Sequence, residues 1–310
     1  MPYFVLKRAL IAVPTLLGLA LVTFLLLRAI PGDPALGLVG ERADPKAIEA
    51  VRRDLGVDRP MPVQFVGYLN LLAHGNLGRS YYTRREVSKD IVEKFPNTLK
   101  LALAAMLVAT FAGIMLGVLS AVTRGRYWEK VFSGAALAGI SLPVFWVGLI
   151  LMLLFAFMLP WLPPSGMGDG QLVYLILPAA TLGLNSAAYI ARITRMSLIE
   201  TLGAQYIMTA KAKGLSTFKV VAKHALRNAL IPVVTLIAID FGSYLNGSVL
   251  TETIFGWDGL GRYALDGIMK RDYPVILGTV LVGSAVFVFF NLLADVAYAY
   301  IDPRIRYGRR

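Results

Sequence analysis

Six long apolar runs, at 9–30, 98–122, 131–159, 171–191, 229–251 and 274–300, limit what this chain can become. Each is long enough to cross a hydrocarbon core of about 30 Å at about 1.5 Å of helical rise per residue. Inside a bilayer every backbone N–H and C=O must be satisfied within the protein, and a single run does this only as a helix. The expected fold is therefore all-α, a polytopic bundle of six transmembrane helices. Composition agrees, with 57% of the 310 residues hydrophobic, which excludes an ordinary soluble domain. The first run follows Lys7 and Arg8, but it is too long for a signal-peptide core and has no small-residue cleavage site, so it reads as a retained helix.

Six spans put both termini on one side, and basic residues say which. Lys7 and Arg8 precede the first run, and Arg124, Arg126 and Lys130 lie between the second and third. Arg192, Arg195, Lys211, Lys213, Lys219, Lys223 and Arg227 lie between the fourth and fifth, and Arg304, Arg306, Arg309 and Arg310 end the chain. The acids on those connections are Glu129, Glu200 and Asp302, while the short opposite connection at 160–170 has no Lys or Arg. Both termini are thus expected to be cytoplasmic. The net charge of +12 is a topology signal and requires no nucleic acid.

Three regions follow: a tail and first span at 1–30, an extracytoplasmic cap at 31–97, and a transmembrane core at 98–310. The cap reads as folded. Asp44 is placed to cap a helix with Pro45 at its first position and Gly56 at its end. A second helix is expected at 63–74, stopped by Gly75, and a third at 86–95, stopped before Pro96. In the core, Gly113 and Gly117 allow close helix approach, and Pro143 and Pro178 are candidate bends.

The longest polar connection on the basic side is 199–232. It reads as two short helices broken at Gly214, where a left-handed turn suits glycine. Ser216 or Thr217 is positioned to cap the second helix. Phe218, Val221, Ala225 and Ala229 recur at helical spacing, with Lys219, Lys223 and Arg227 on another face. Taken alone, such a pair is equally well a helix lying in the headgroups.

No phosphate-cradling GxxxxGKS/T, HExxH or GxSxG motif occurs, and there is no cysteine. His74 and His224 fall on opposite sides of the membrane. Asp240 and Asp295 lie inside spans; Asp295 is near the cytoplasmic end, where it reads as a partner for tail arginines. Asp240 is deeper and is a candidate for the substrate path or for a structural hydrogen bond.

The string TAKAKG at 209–214 followed by KHALRNALIP at 223–232 resembles the cytoplasmic coupling loop of ABC-importer permeases, specifically the peptide/nickel permease family. The general pattern there is EAA, three residues, Gly, nine residues, then IxLP. Met208, Thr209 and Ala210 stand at EAA, Gly214 at the Gly, and His224 to Arg227 at IxLP, so only Ala210, Gly214 and Leu226 match strictly. LLRAIPGDPA, ETIFGWDGLGR, RDYPV and IDPRIRYG elsewhere also resemble this family.

The resemblance implies a permease subunit that is not itself an enzyme. It would form half of a pathway for small peptides, with a coupling element at 199–228 built on Thr209, Ala210, Lys211, Gly214, Phe218, Val221, Ala225 and Leu226. A substrate path or external gate would involve Asp240, Asn246, Glu252, Phe255 and Trp257. Implied partners are a second homologous permease, two ATPase subunits carrying ATP and Mg, an extracytoplasmic solute-binding protein, the peptide and membrane lipid. No cofactor or metal is expected on this chain. Nickel or glutathione is an alternative substrate. An ion-coupled carrier using Asp240, or a membrane scaffold, is an alternative class.

Overall fold

The computed structural model describes residues 2–29, 34–39, 44–245 and 248–301. The described residues are helical apart from turns, extended links and one isolated bridge between Arg79 and Glu86. In chain order the helices are α1 (Pro2–Ala29), α2 (Pro34–Val39), α3 (Pro45–Leu55), α4 (Met61–Ala73), α5 (Val87–Val122), α6 (Tyr127–Ser141) and α7 (Val144–Met152), which continues as a π-helical stretch, Leu153–Met158. There follow α8 (Val173–Leu202), α9 (Gln205–Ala212) and α10 (Thr217–Lys219), which runs through a π-helical turn, Val220–Ala225, into α11 (Leu226–Ala229). The last are α12 (Ile231–Leu245), α13 (Val249–Ile254), α14 (Leu260–Lys270) and α15 (Tyr273–Ile301).

Among the described residues, four helices are long and apolar enough to cross a membrane unbroken, in the stretches Leu10–Ala29, Val87–Val122, Val173–Leu202 and Tyr273–Leu293. The third apolar run is not a straight span, and the fifth is carried by α12, which meets the helix before it at an angle. Tyr127–Ser141 and Val144–Met158 meet at 106°, and Thr217–Ala229 and Ile231–Leu245 at 54°, so the count reaches six only if each bent pair is one span. The first bend has a local cause. Pro143 pushes its predecessor out of the helical region, and Leu142 and Pro143 are both extended, with ψ of 133° and 136°.

The chain forms two compact units. The first comprises 1–98, 246–249 and 258–288, and the second 99–245, 250–257 and 289–310.

In the first unit, α3 begins and ends as its sequence dictates. Asp44 Oδ1 accepts from Lys46 N at 3.0 Å, Pro45 opens the helix, and Gly56 closes it at φ 66°. The second expected helix, 63–74, is α4 and starts two residues earlier. The expected stop at Pro96 does not occur, because α5 runs through it. Proline there frees only the carbonyl four residues back, on Val92, which is 73% exposed. Phe24, Leu27, Tyr273, Ile276 and Leu277 form one apolar cluster, and Val87, Ile91, Leu260 and Val275 another.

In the second unit, α5 and α8 cross at glycine. A Cβ on Gly113 would stand 2.6 Å from Ile190 Cβ, one on Gly117 would stand 2.6 Å from the Ala191 carbonyl oxygen, and one on Gly183 would stand 2.6 Å from that of Ala105. The small pair read from the sequence is therefore a contact surface. The fourth apolar run is the first part of α8, which continues past Ala191 to Leu202 and carries Arg192 and Arg195 with it. Arg195 pairs with Glu129 of α6.

Candidate functional site

The polar excursion after α8 is a docked helix pair. Ile207 and Ala210 of α9, Val220, Val221 and Ala225 of the π-helical turn, and Ala229 of α11 bury themselves with Leu198 of α8 and Ala121 of α5. Asn228 Nδ2 donates to Tyr206 Oη at 2.7 Å, tying α11 to α9. Gly214 joins the two helices at φ 77°, the left-handed turn its sequence predicts. Its N–H donates to the Lys211 carbonyl at 2.9 Å, closing α9. Ser216 occupies the cap position of α10 without a side-chain bond to it, so the expected cap is positional only.

The apolar face differs from the one read by helical spacing. Val221, Ala225 and Ala229 are buried as expected, but Phe218 is 80% exposed. The reason is the π-helical turn, in which Leu226 N reaches back five residues to Val221 O. The wider turn brings adjacent Val220 and Val221 both inward and leaves Phe218 out of register with them. The candidate residues thus divide. Ala210, Val221 and Ala225 pin the pair, Leu226 is half-buried, and Thr209, Lys211, Gly214 and Phe218 are exposed together with Met208. Lys219, Lys223 and Arg227 are exposed, as their spacing predicts. Helical spacing does not find Val220, because the π-helical turn breaks the period, and it does not reach the other pinning residues, Leu198 on α8 and Ile207 on α9.

The second candidate group is more scattered. Asp240 on α12 is half-buried and meets the Ser186 hydroxyl of α8. Tyr244, one turn on, reaches the same Ser186 Oγ at 2.5 Å and lies 3.1 Å from the Leu182 carbonyl oxygen. Glu252 is fully buried, and its carbonyl accepts from Trp257 N at 2.8 Å. Phe255 and Trp257 are core residues, at 2% and 4% exposure. Trp257 packs with Leu101, Ala105, Ala179 and Leu182, and the Phe255 carbonyl accepts from Gly166 N at 2.8 Å. Neither ring is presented to a lipid interface. Asn246, the side chain of Asp295 and the arginines of the tail lie outside what the structure describes.

A cluster that sequence reasoning passed over holds the first unit together. Asp272 and Asp90 are buried acids. Asp272 takes Ser80 Oγ at 2.5 Å and Tyr81 N at 3.1 Å, and Asp90 takes Tyr263 Oη at 2.8 Å and pairs with Arg85 Nε at 3.1 Å. Burial, then the bond to Asp90, raises the Tyr263 phenol well above its usual range. RDYPV contains Asp272, so the string carried a signal; its partners lie 191 and 192 positions away.

The arrangement resembles solved structures. The methionine ABC transporter MetNI, in inward-facing conformations, aligns with a TM-score of 0.58 at 19% identity over 68% of this chain and 96% of that one. An amino acid ABC transporter aligns with a TM-score of 0.53 at 17% identity over 69% and 94%. The fold is therefore one shared with chains of solved ABC transporters.

Residues 113–307 match the family described as binding-protein-dependent transport system inner membrane component, and residues 1–102 match its N-terminal companion. The chain belongs to this family and is a multi-pass permease subunit of an ABC importer. It is 44% identical over 304 residues to the glutathione transport system permease protein GsiC of Salmonella typhi, covering 98% of this chain and 99% of that protein. It is 41% identical over 333 residues to the di/tripeptide transport system permease protein DppB of Pseudomonas aeruginosa, covering 99% of each. The resemblance seen in the motifs is borne out, and an ion-coupled carrier is not favoured.

Proposed function

We propose that this chain is half of a translocation pathway for short peptides, glutathione among them, and that the α9–Gly214–α10 pair couples it to separate ATPase subunits. The observation that carries the coupling reading is the division of that pair into a buried face and an exposed rim. The buried face fixes the pair to α5 and α8, so a push on the rim moves two membrane helices. The rim presents Phe218 and Met208, large apolar side chains at 80% and 60% exposure, among lysines. Apolar anchors within a polar surround are what a protein partner buries most profitably.

In this reading ATP and Mg are bound by the partner subunits, and this chain holds no cofactor. A second permease completes the pathway, and a solute-binding protein delivers the peptide on the side opposite the helix pair. Both termini are cytoplasmic, on the side of that pair, as the Lys and Arg distribution supports. The substrate class is supported by the names of the GsiC and DppB relatives. Asp240, Asn246 and Glu252 are assigned to the substrate path or gate, with Phe255 and Trp257 shaping it from within the core.

Reconstitution tests this. Proteoliposomes holding the complete transporter should accumulate labelled glutathione or dipeptide when ATP and the binding protein are supplied, and should continue after the ion gradient is collapsed. Uptake that follows the gradient and ignores ATP would contradict the proposal.

A further inference from the structure

In the first unit, a cleft of about 280 Å³ opens between the end of α1, α4 and the start of α15. Its polar groups are incompletely paired. Gln64 Nε2 is fully engaged, donating to the Val57 carbonyl at 3.2 Å and the Arg59 carbonyl at 2.6 Å, which fixes the amide orientation and turns Oε1 the other way. Gln64 Oε1 and, one helical turn on, Tyr68 Oη are both buried without a hydrogen-bond partner among the described residues. A buried polar atom left so bears its full desolvation penalty, a strong reason for such a site to take a ligand. Burial pushes the Tyr68 phenol up to about 12, so it stays protonated and donates.

Among the described residues the charge in the cleft is of one sign: Arg28 and Arg59 line it, and no carboxylate does. Arg28 is held over the Phe24 and Tyr273 rings, 5.3 and 4.7 Å from their centroids, with its charge felt by the Tyr81 hydroxyl. The nearby Asp272 is occupied by Ser80 and the Tyr81 backbone. The ligand must therefore carry an anion for Arg28 and Tyr68, and an N–H or O–H for Gln64.

Position selects the source. Arg28 stands in the last turn of the apolar stretch Leu10–Ala29, and Tyr273 begins the stretch Tyr273–Leu293. The cleft thus lies where two spans end, at headgroup depth. Beside it α4 exposes Met61, Val63, Val66 and Leu71, at 51%, 50%, 65% and 42%. Apolar side chains turned outward next to a cationic cleft match a molecule with a phosphate and acyl chains.

We propose that this cleft is a phospholipid site, taking a phosphodiester headgroup that bears an O–H or N–H donor. The phosphate meets Arg28 and the Tyr68 hydroxyl, and the headgroup donor meets Gln64 Oε1. The acyl chains lie along the exposed face of α4.

Native mass spectrometry of the full-length chain, released from detergent and titrated with single lipids, tests this. Phosphatidylglycerol should be retained. Phosphatidylcholine, which has no headgroup donor for Gln64, should be held about tenfold less, and sn-glycerol 3-phosphate should not be retained. Arg28→Gln should abolish retention of phosphatidylglycerol, and the isosteric Tyr68→Phe should lower it about tenfold, the size of one hydrogen bond to a charged group. Equal retention by the parent chain and both variants would overturn the site. Binding of glycerol phosphate as tight as that of the lipid would make it a soluble-phosphate site and overturn the lipid assignment, and phosphatidylcholine held as well as phosphatidylglycerol would overturn the role of Gln64.

Discussion

Ser80 Oγ donates to Asp272 Oδ2 across 2.5 Å, joining the turn before α5 to the residue that precedes α15. Both residues are buried, and Asp272 also takes the Tyr81 N–H. Asp272→Ala would leave a hydroxyl and a backbone N–H without their buried acceptor, costing about 2–4 kcal/mol. Ser80→Ala removes one donor and leaves Asp272 its bond to Tyr81, so it should cost less. Thermal unfolding of the detergent-solubilised chain should rank the parent above Ser80→Ala and Ser80→Ala above Asp272→Ala. Coincident melting would show that the link contributes nothing.

Alkaline pH should loosen the same unit. Burial raises the phenols of Tyr68 and Tyr81 to about 12, and burial with the Asp90 bond raises that of Tyr263 further. A phenol raised in the fold binds its proton more tightly there than in the unfolded chain, so its contribution is complete below about pH 10 and is lost as pH rises toward the folded value. Stability should therefore hold to about pH 10 and fall above it, and Tyr263→Phe should make that fall shallower. A pH profile unchanged by Tyr263→Phe would contradict the role given to this side chain.

The membrane orientation is open to direct chemical test because the chain has no cysteine. Glu49→Cys and Ser165→Cys, both exposed, should react in intact cells with an impermeant thiol reagent, and Ser216→Cys should not. Ser165 is preferred to Gly168 on the same loop, since a Cβ at Gly168 would fall 2.0 Å from the Tyr174 ring. Labelling of Ser216→Cys from outside would invert the topology.

How much of this was legible in the sequence depends on the kind of signal. The α3 boundaries were readable because capping is local: Asp44, Pro45 and Gly56 act within a few residues. The left-handed Gly214 was readable for the same reason. The passage of α5 through Pro96 was not, because a proline breaks a helix only where the freed carbonyl has no other outlet, and that depends on surroundings. The bend at Pro143 was foreseen as a possibility, but its 106° was not. The Phe218 error came from extending one helical period across a π-helical turn. The Asp272 and Asp90 cluster stayed hidden because its partners are far apart in sequence, where periodicity carries nothing.

Substitutions in the helix pair should separate into two kinds. Ala225 is fully buried in the pinning cluster, so Ala225→Asp places a charge in an apolar site and should lower the amount of folded permease. A Cβ at Gly214 would meet no atom within 4 Å, so the cost of Gly214→Val is chiefly backbone strain, on the order of 1–2 kcal/mol. It should leave abundance intact while weakening ATPase co-purification or uncoupling hydrolysis from uptake. Normal uptake and ATPase association in Gly214→Val would remove this turn from the coupling element.

The coupling assignment is tested most directly at Phe218, which is 80% exposed in the isolated chain. The measurement is the rate at which Phe218→Cys reacts with a bulky water-soluble maleimide, first in the permease alone and then in the assembled transporter, with Ser165→Cys as reference. An ATPase docked on the α9–Gly214–α10 rim should slow the reaction at position 218 at least tenfold on assembly and leave position 165 unchanged. Equal rates at position 218 in the free and assembled permease would contradict the assignment of this rim as the ATPase contact.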